Sequence, residues 1–552
     1  MSPKFSSAED QTQQGSTLEA MELVDRSDKK DAYLPQGEGD GDGEQTALPR
    51  TGYGYDEEAV AAGRYRKYDH GVLGLAKKGM DILVEHGVEE RGIDPRPEDD
   101  RDELTIWSYL PQTTLWAAFN TNILSFSEGV IGPALFGLNW KASASCIVLF
   151  TLASGIPVAY CATNGPKTGM RQMVQARYGL GYFPAMIFGL INCATMIGFM
   201  SLTAILAGQC LSLASNSTMS YDVGIVIAAL IALILSFVGL RALHIVSLTA
   251  FPLMIIVYIA LAGLSGSKLH LAVSEAAAAA TNVTASGVLG YGASLIGFTI
   301  TYSALASDFT TSLPAHTPRL QLFLCVYLGL TIPIILITLL GAACQLAAFS
   351  VVEWGEASEI GVGNLIFAIF GGGGGARFVM VLFCLSVVAN TAPTIYSAGL
   401  SGQVAIPFLI RIPRYFLAVI VTAIYLPIAI VGASKFYVAL ENFSAVLSYW
   451  TALYIPPTLI EPMVFRRPVS RKTYPVEIWN KIGKLPMGLA SLAAAACGIP
   501  IIAAGMSQSW WTGWIARRIT EGSGDVAFEF GACVVTLVFL PARYLERKYT
   551  GR

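Results

Sequence analysis

The sequence predicts an all-α integral membrane protein of twelve transmembrane helices, and three observations carry that expectation. Of its 552 residues, 53% are hydrophobic and only 14% charged, whereas soluble domains carry about a quarter charged residues. The apolar residues gather into runs of the ~20 that a helix needs to cross a hydrocarbon core. Two of these runs, five spans apart, are interrupted by glycines and clustered hydroxyls, as in transporters built from inverted repeats with broken helices.

The segments lie near 113–137, 141–161, 182–212, 222–240, 243–264, 289–307, 320–348, 377–400, 414–432, 437–461, 486–508 and 525–542. The spacing of the interruptions suits spans 1–5 and 6–10 as two repeats, with spans 11 and 12 added. Residues 1–103 form a polar stretch with an acidic, glycine-rich tract at 36–44. That composition cannot bury enough surface to offset its ordering entropy, so a mostly disordered cytosolic tail is expected. The opening MSPKFSSAEDQ has no apolar core of the kind a cleaved signal needs. A patch at 68–88, with Leu73, Leu75, Met80, Leu83 and Val84, fits a short amphipathic helix. The transporter domain is expected over 104–545, and a short cytosolic tail over 546–552.

Basic residues set the orientation. They follow span 2 (Lys167, Arg171, Arg177), span 10 (Arg466, Arg467, Arg471, Lys472) and span 12 (Arg543, Arg547, Lys548), while the alternate loops hold few, such as Lys141, Lys268 and Lys435. Both termini are therefore expected in the cytosol, with the plasma membrane as the default for uptake. The sequons Asn216-Ser217-Thr218 and Asn282-Val283-Thr284 both fall on the expected outer side. A net charge of -3 gives no reason to expect nucleic acid as a partner. The nine cysteines sit in or beside apolar runs with no CxxC or Cys/His cluster, which reads as small buried hydrophobes. No cofactor or metal motif is present.

Within the spans, the polar exceptions mark the site. Span 1 contains Ser125 through Pro133, and in it Glu128 places a carboxylate inside an apolar helix, where it faces a cavity, a partner or a proton path; capping a half-helix is the competing reading. Span 6 carries Gly297, Thr299, Thr301, Tyr302 and Ser303 and ends in Asp308, which suits gating, proton coupling or capping. Span 8 holds Asn390-Thr391-Ala392-Pro393-Thr394. Pro393 removes a backbone donor, and Asn390 offers both donor and acceptor to the amide-like edge of a heterocycle; helix–helix hydrogen bonding is the alternative. Span 3 contributes Asn192, Phe199, Ser201, Thr203 and Gln209. Phe199 and Tyr302 suit stacking on a flat ring or plain packing.

These stretches resemble the fungal purine–cytosine permease family, the nucleobase:cation symporters. The resemblance is carried by Gly87 to Ile93, Ser125 to Pro133, the loop Gly165 to Met173 leading to Arg177-Tyr178-Gly179, Ala306 to Phe309, Val388 to Ser397, and Gly524 to Glu529. It implies a LeuT-type inverted-repeat fold, proton-coupled uptake by alternating access, and a central site from spans 1, 3, 6 and 8. Carried over by position, that site comprises Ser125 or Ser127, Phe199 with Thr203, Tyr302, and Asn390, Thr391, Pro393 and Thr394. Relative to the cytosine-transporting pattern, Phe199 and Tyr302 stand where tryptophan is usual. Thr203, Thr391 and Thr394 replace asparagines, and Glu128 replaces an apolar residue. Fewer amides widen the expected substrate from cytosine or a purine to other planar heterocycles, such as pyridoxine or an allantoin- or nucleoside-like compound.

Rival readings have weaker support. Gly522-Ser523-Gly524-Asp525 with Tyr221-Asp222 resembles the paired motifs of intramembrane aspartyl proteases, but both aspartates fall at the ends of spans. The run Gly371 to Gly375 lacks the Gly-Lys-Ser/Thr of a phosphate loop and reads as a flexible lead into span 8. A passive channel or a non-transporting receptor complete the alternatives.

Overall fold

Asn120, Thr121 and Asn122 split the first span in two. A computed structural model describes residues 92–552 apart from 238–239, 413 and 520–522. The expected N-terminal tail up to residue 91, the amphipathic patch at 68–88, most of the Gly87 to Ile93 stretch, and Gly522 lie outside the described residues. α1 (Tyr109–Asn120) stops where Thr121 turns its hydroxyl back to the Ala117 carbonyl at 2.7 Å. α2 (Ile123–Phe136) starts afresh because the Asn122 side chain accepts from the amides of Leu124 and Ser125 at 2.8 and 3.2 Å, satisfying donors that a helix start leaves open. The break therefore lies just upstream of the expected Ser125 to Pro133 segment, which is helical. Pro133 fits in the last turn before Gly137, in the left-handed region at φ 62°, ends the helix.

The following helices are α3 (Trp140–Ala162), α4 (Gln172–Leu180), α5 (Tyr182–Ala214), α6 (Tyr221–Phe237) and α7 (Leu240–Leu269). α8 (Ala285–Ile300) is capped by Thr284, whose hydroxyl accepts from the Gly287 amide at 3.0 Å. It then unravels into two tight turns, Thr301–Ala304 and Ala306–Phe309. This second break falls where the sequence predicts one. α9 (Arg319–Ala348) leads into two short helices the sequence reading did not anticipate, α10 (Val352–Ile360) and α11 (Val362–Ile369). Gly371 and Gly372, at φ 77° and 67°, turn the chain into α12 (Gly374–Ala405). α12 continues through Pro393, which is buried within it and lines the cavity described below. α13 (Arg414–Gly432), α14 (Phe436–Ile460), α15 (Leu489–Gly505), a two-residue hairpin of β1 (Ser507–Gln508) with β2 (Trp511–Thr512), and α16 (Ala527–Thr550) complete the chain.

Seven helical stretches among the described residues are long and apolar enough to cross a membrane, one of them being α13 and α14 run together as Tyr415–Phe465. Leu336 and Val431, strongly exposed, point outward as lipid-facing side chains do. The nine cysteines are all free. Cys497 and Cys533, on α15 and α16, are exposed rather than buried, which hydrocarbon surroundings tolerate.

Backbones meet closely where side chains are small. A Cβ at Gly129 would stand 2.0 Å from the Thr338 carbonyl oxygen of α9, and one at Gly341 would stand 2.2 Å from that of Phe126 in α2. α8 meets α14 the same way, with a Gly297 Cβ falling 1.8 Å from the Ser444 carbonyl oxygen. At one end of the bundle the chain before α1 crosses three connections. The Arg96 amide donates to the Gly169 carbonyl at 2.8 Å, the Arg101 guanidinium to the Pro166 carbonyl at 2.5 Å, and the Asp102 amide to the Ser312 carbonyl at 2.9 Å. From the third connection the Arg471 guanidinium reaches the Arg96 carbonyl at 2.5 Å. A buried ionic cluster stands nearby in the chain's last helix: Arg543 donates to both oxygens of Glu461 at 2.9 Å, to Glu546 at 3.0 Å and to the Tyr178 carbonyl at 3.1 Å.

Candidate functional site

The two broken helices supply two walls of one narrow cavity, and α5 and α12 supply the others. Phe119 and Leu124 come from either side of the α1–α2 break. Tyr302, Leu305 and Phe309 come from the turns that continue α8. Met196 and Phe199, three residues apart on one face of α5, form the third wall, and Asn390, Pro393 and Thr394 on α12 the fourth.

Two features give the cavity chemical character. The rings of Phe199 and Tyr302 lie parallel, at an interplanar angle of 10° with centroids 6.4 Å apart. Trp116 braces Tyr302 edge-on at 5.7 Å, and Phe298 and Phe443 brace Phe199 edge-on at 6.0 and 5.2 Å. Secondly, the polar groups are concentrated on one side. Asn390 donates from its amide nitrogen to the Phe119 carbonyl at 2.5 Å, a carbonyl freed by the end of α1, and its side chain lies within reach of the Tyr302 hydroxyl. The Thr394 hydroxyl donates to the Asn390 carbonyl at 2.9 Å, leaving its lone pairs open as acceptors. No charged side chain lines the cavity.

The sequence-predicted residues divide accordingly. Phe199, Tyr302, Asn390, Pro393 and Thr394 are brought together; Thr203 and Thr391 are not. Those two hydroxyls sit 3.1 Å from each other in the α5–α12 seam, each also bonded to its own helix. Ser127 donates to the Ile123 carbonyl at 2.7 Å, and Ser125 is fully buried with its hydroxyl unpartnered; neither lines the cavity. Glu128 lies one turn beyond Leu124, also outside it. Asp308 lies below the cavity at the start of α4, where its carboxylate accepts from the Gln172 amide at 2.8 Å. Arg171 joins this point to α12, donating to the Asp308 carbonyl and to the Tyr396 hydroxyl, both at 2.6 Å. Nearby, Arg177 is covered by the rings of Tyr182 and Trp479 at 4.8 and 5.7 Å, and burial pulls its guanidinium down to about 10.

Sequence reasoning missed Phe119, Leu124, Met196, Leu305 and Phe309. Helical spacing from Phe199 and the neighbourhood of the two breaks were the available signals. Asp222 is exposed on the first turn of α6. Asp525 is instead buried, accepting from the Tyr449 hydroxyl and from the amides of Ser507 and Ala527 at 3.1 and 3.2 Å, so a proteolytic carboxylate pair finds no support here. Among the described residues no group of His, Cys, Asp and Glu could hold a metal ion.

Over residues 101–513 the chain matches the family described as permeases for cytosine/purines, uracil, thiamine and allantoin. It is 31% identical to the purine-cytosine permease fcyB of Emericella nidulans over 477 residues, covering 85% of this chain and 91% of that one. With the vitamin B6 transporter TPN1 of Saccharomyces cerevisiae it shares 27% identity over 535 residues, covering 87% and 90%. Among solved structures, its fold is similar to that of Mhp1, a nucleobase-cation-symport-1 family transporter, in a closed conformation with bromovinylhydantoin bound. The TM-score is 0.64 at 14% identity, over 84% of this chain and 96% of that one.

Proposed function

Because the chain belongs to the family of permeases for cytosine, purines, uracil, thiamine and allantoin, we propose that this integral membrane protein is a proton-coupled symporter importing an uncharged planar heterocycle by alternating access, with a nucleobase such as cytosine or a purine as the first expectation. The observation that carries the reading is the parallel pair Phe199 and Tyr302. A flat ring inserted between two others needs about 7 Å, two carbon contact distances, and the centroids stand 6.4 Å apart. Parting by roughly half an ångström, or a lateral slip, admits the ring. Asn390, Tyr302 and Thr394 then offer donors and acceptors side by side to its polar edge.

A second reading is supported by one feature of the site. Thr203 and Thr391 satisfy each other, so Asn390 is the one carboxamide lining the cavity. That suits a ring with fewer amide-like groups, such as pyridoxine, and a vitamin B6 transporter is among the relatives.

The proposal includes a 5+5 inverted repeat and twelve spans. α1 with α2, and α8 with its terminal turns, count as one broken span each, and the shorter α6 and α15 complete the number. Arg171, Asp308 and Tyr396 would form the cytosolic gate, and the basic connections favour cytosolic termini in a plasma-membrane protein.

The test is uptake of radiolabelled cytosine, adenine, hypoxanthine and pyridoxine in a fungal strain lacking its own carriers, with and without a protonophore. Saturable, protonophore-sensitive uptake of one of them is expected. Base–aromatic stacking contributes about 1–3 kcal/mol, so Phe199→Ala and Tyr302→Ala should each raise KM by about ten-fold or more. Surface-localised protein that moves none of the four would overturn the reading.

A further inference from the structure

Glu128 belongs to neither the cavity nor the gate, and its surroundings are unusual for a carboxylate. It is fully buried, at position i+4 from the cavity residue Leu124 on the same face of α2. From α8, the Ser294 hydroxyl donates to its Oε1 at 2.6 Å, and the Tyr291 hydroxyl donates to its backbone carbonyl at 3.0 Å. From α14, Ser444 approaches the same carboxyl group. Glu128 Oε2 and the Ser444 hydroxyl are both left without a hydrogen-bond partner.

No countercharge stands near. Among the described residues, no arginine, lysine or histidine acts on Glu128 from α3, α5, α8, α9, α11, α12 or α14. Tyr291 is the titratable group beside it, and Cys146 of α3 lies near Tyr291 in turn. An ionised carboxylate held by serine hydroxyls alone, with no cation beside it, costs several kcal/mol in such an interior. A proton on Oε2 removes the uncompensated charge and is donated to the Ser444 oxygen, which accepts as readily as it donates.

We propose that Glu128 is the binding site of the coupling proton. Protonated, it fastens α2 to α8 and α14; ionised, it needs water, and these helices part. α2 and α8 are the broken helices whose ends wall the cavity, Leu124 one turn from Glu128 and Tyr302 about two turns from Ser294. Ring binding and protonation therefore bias the same pair of helices, the requirement for coupling between two sites. This rests on the symporter reading and deepens it by assigning the residue that carries the proton.

The experiment uses the purified full chain, first by infrared difference spectroscopy across acidic to alkaline pH. A protonated-carboxyl stretch present at neutral pH in the wild type and missing from Glu128→Gln is expected; its absence from the wild type overturns the proposal. In proteoliposomes loaded and bathed with radiolabelled cytosine, adenine or pyridoxine, Glu128→Gln mimics the protonated acid. It should exchange internal for external label as the wild type does, yet fail to accumulate label under an inward proton gradient. Ser294→Ala should still accumulate label, with a shifted pH profile. Wild-type transport with equal accumulation by Glu128→Gln overturns the proton site alone, and no transport by the wild type overturns the symporter reading along with it.

Discussion

Asn390 joins two helices through one carboxamide. Its amide donates to the Phe119 carbonyl at the end of α1, which it shares with the Asn122 amide, while the rest of the side chain faces the cavity, so truncation has two effects. Asn390→Ala should remove the polar edge of the site and one of the two side-chain donors to the Phe119 carbonyl, Asn122 being the other, at about 0.5–1.5 kcal/mol. The expected outcome is uptake lost or KM raised, with a lowered melting temperature in detergent, measured on the same preparation. Asn390, Pro393 and Thr394 were readable from the sequence because a polar group or proline inside an apolar span is costly and needs a reason. Met196, Leu124 and Leu305 were not, since an apolar side chain in a membrane helix serves equally well against lipid, a neighbour or a cavity. Thr203 and Thr391 looked like site residues for the same reason as Asn390, but hydroxyls can also satisfy one another across a seam, and here they do.

Helices that touch backbone to backbone tolerate no added carbon. Gly297→Ala places its Cβ 1.8 Å from the Ser444 carbonyl oxygen, and neither helix can yield without moving α8, which carries Glu128's partner Ser294. Overpacking of this kind costs about 1–3 kcal/mol. The mutant should show a lower melting temperature by fluorescence-detected size exclusion and reduced surface expression, whereas Gly373→Ala, with nothing within 4 Å of its Cβ, should behave as wild type. Apolar length located the helices well, because the hydrocarbon core sets one length for all. The glycines and hydroxyls expected to interrupt span 6, Gly297 to Ser303, straddle the observed end of α8 at Ile300, but those of span 1 put the first break too late. The glycines and serines of 125–133 read as an interruption, yet they serve close packing within α2. The interruption itself comes from Asn122 acting as a cap, a role that depends on which amides its side chain meets.

Across the whole molecule, polar bonds between distant segments were the part hidden from sequence. Arg543, Glu461, Glu546 and Tyr178 look like ordinary loop and helix-end residues until the fold buries them together, since charge patterning in one dimension does not reveal which ends converge. The crossing of residues 96–102 over three connections is another such case, and it bears on where the protein can be cut. Removing residues 1–91 leaves every one of those bonds intact, while removing 1–105 deletes Arg96, Arg101 and Asp102 and frees the connections at Gly169, Ser312 and Arg471 from one another. The shorter truncation should keep the melting temperature of the full chain, and the longer one should lower it, both read in the same detergent. A trimmed form for crystallisation, or a reporter spliced in near the N-terminus, therefore has to leave residues 96–102 in place to keep these bonds.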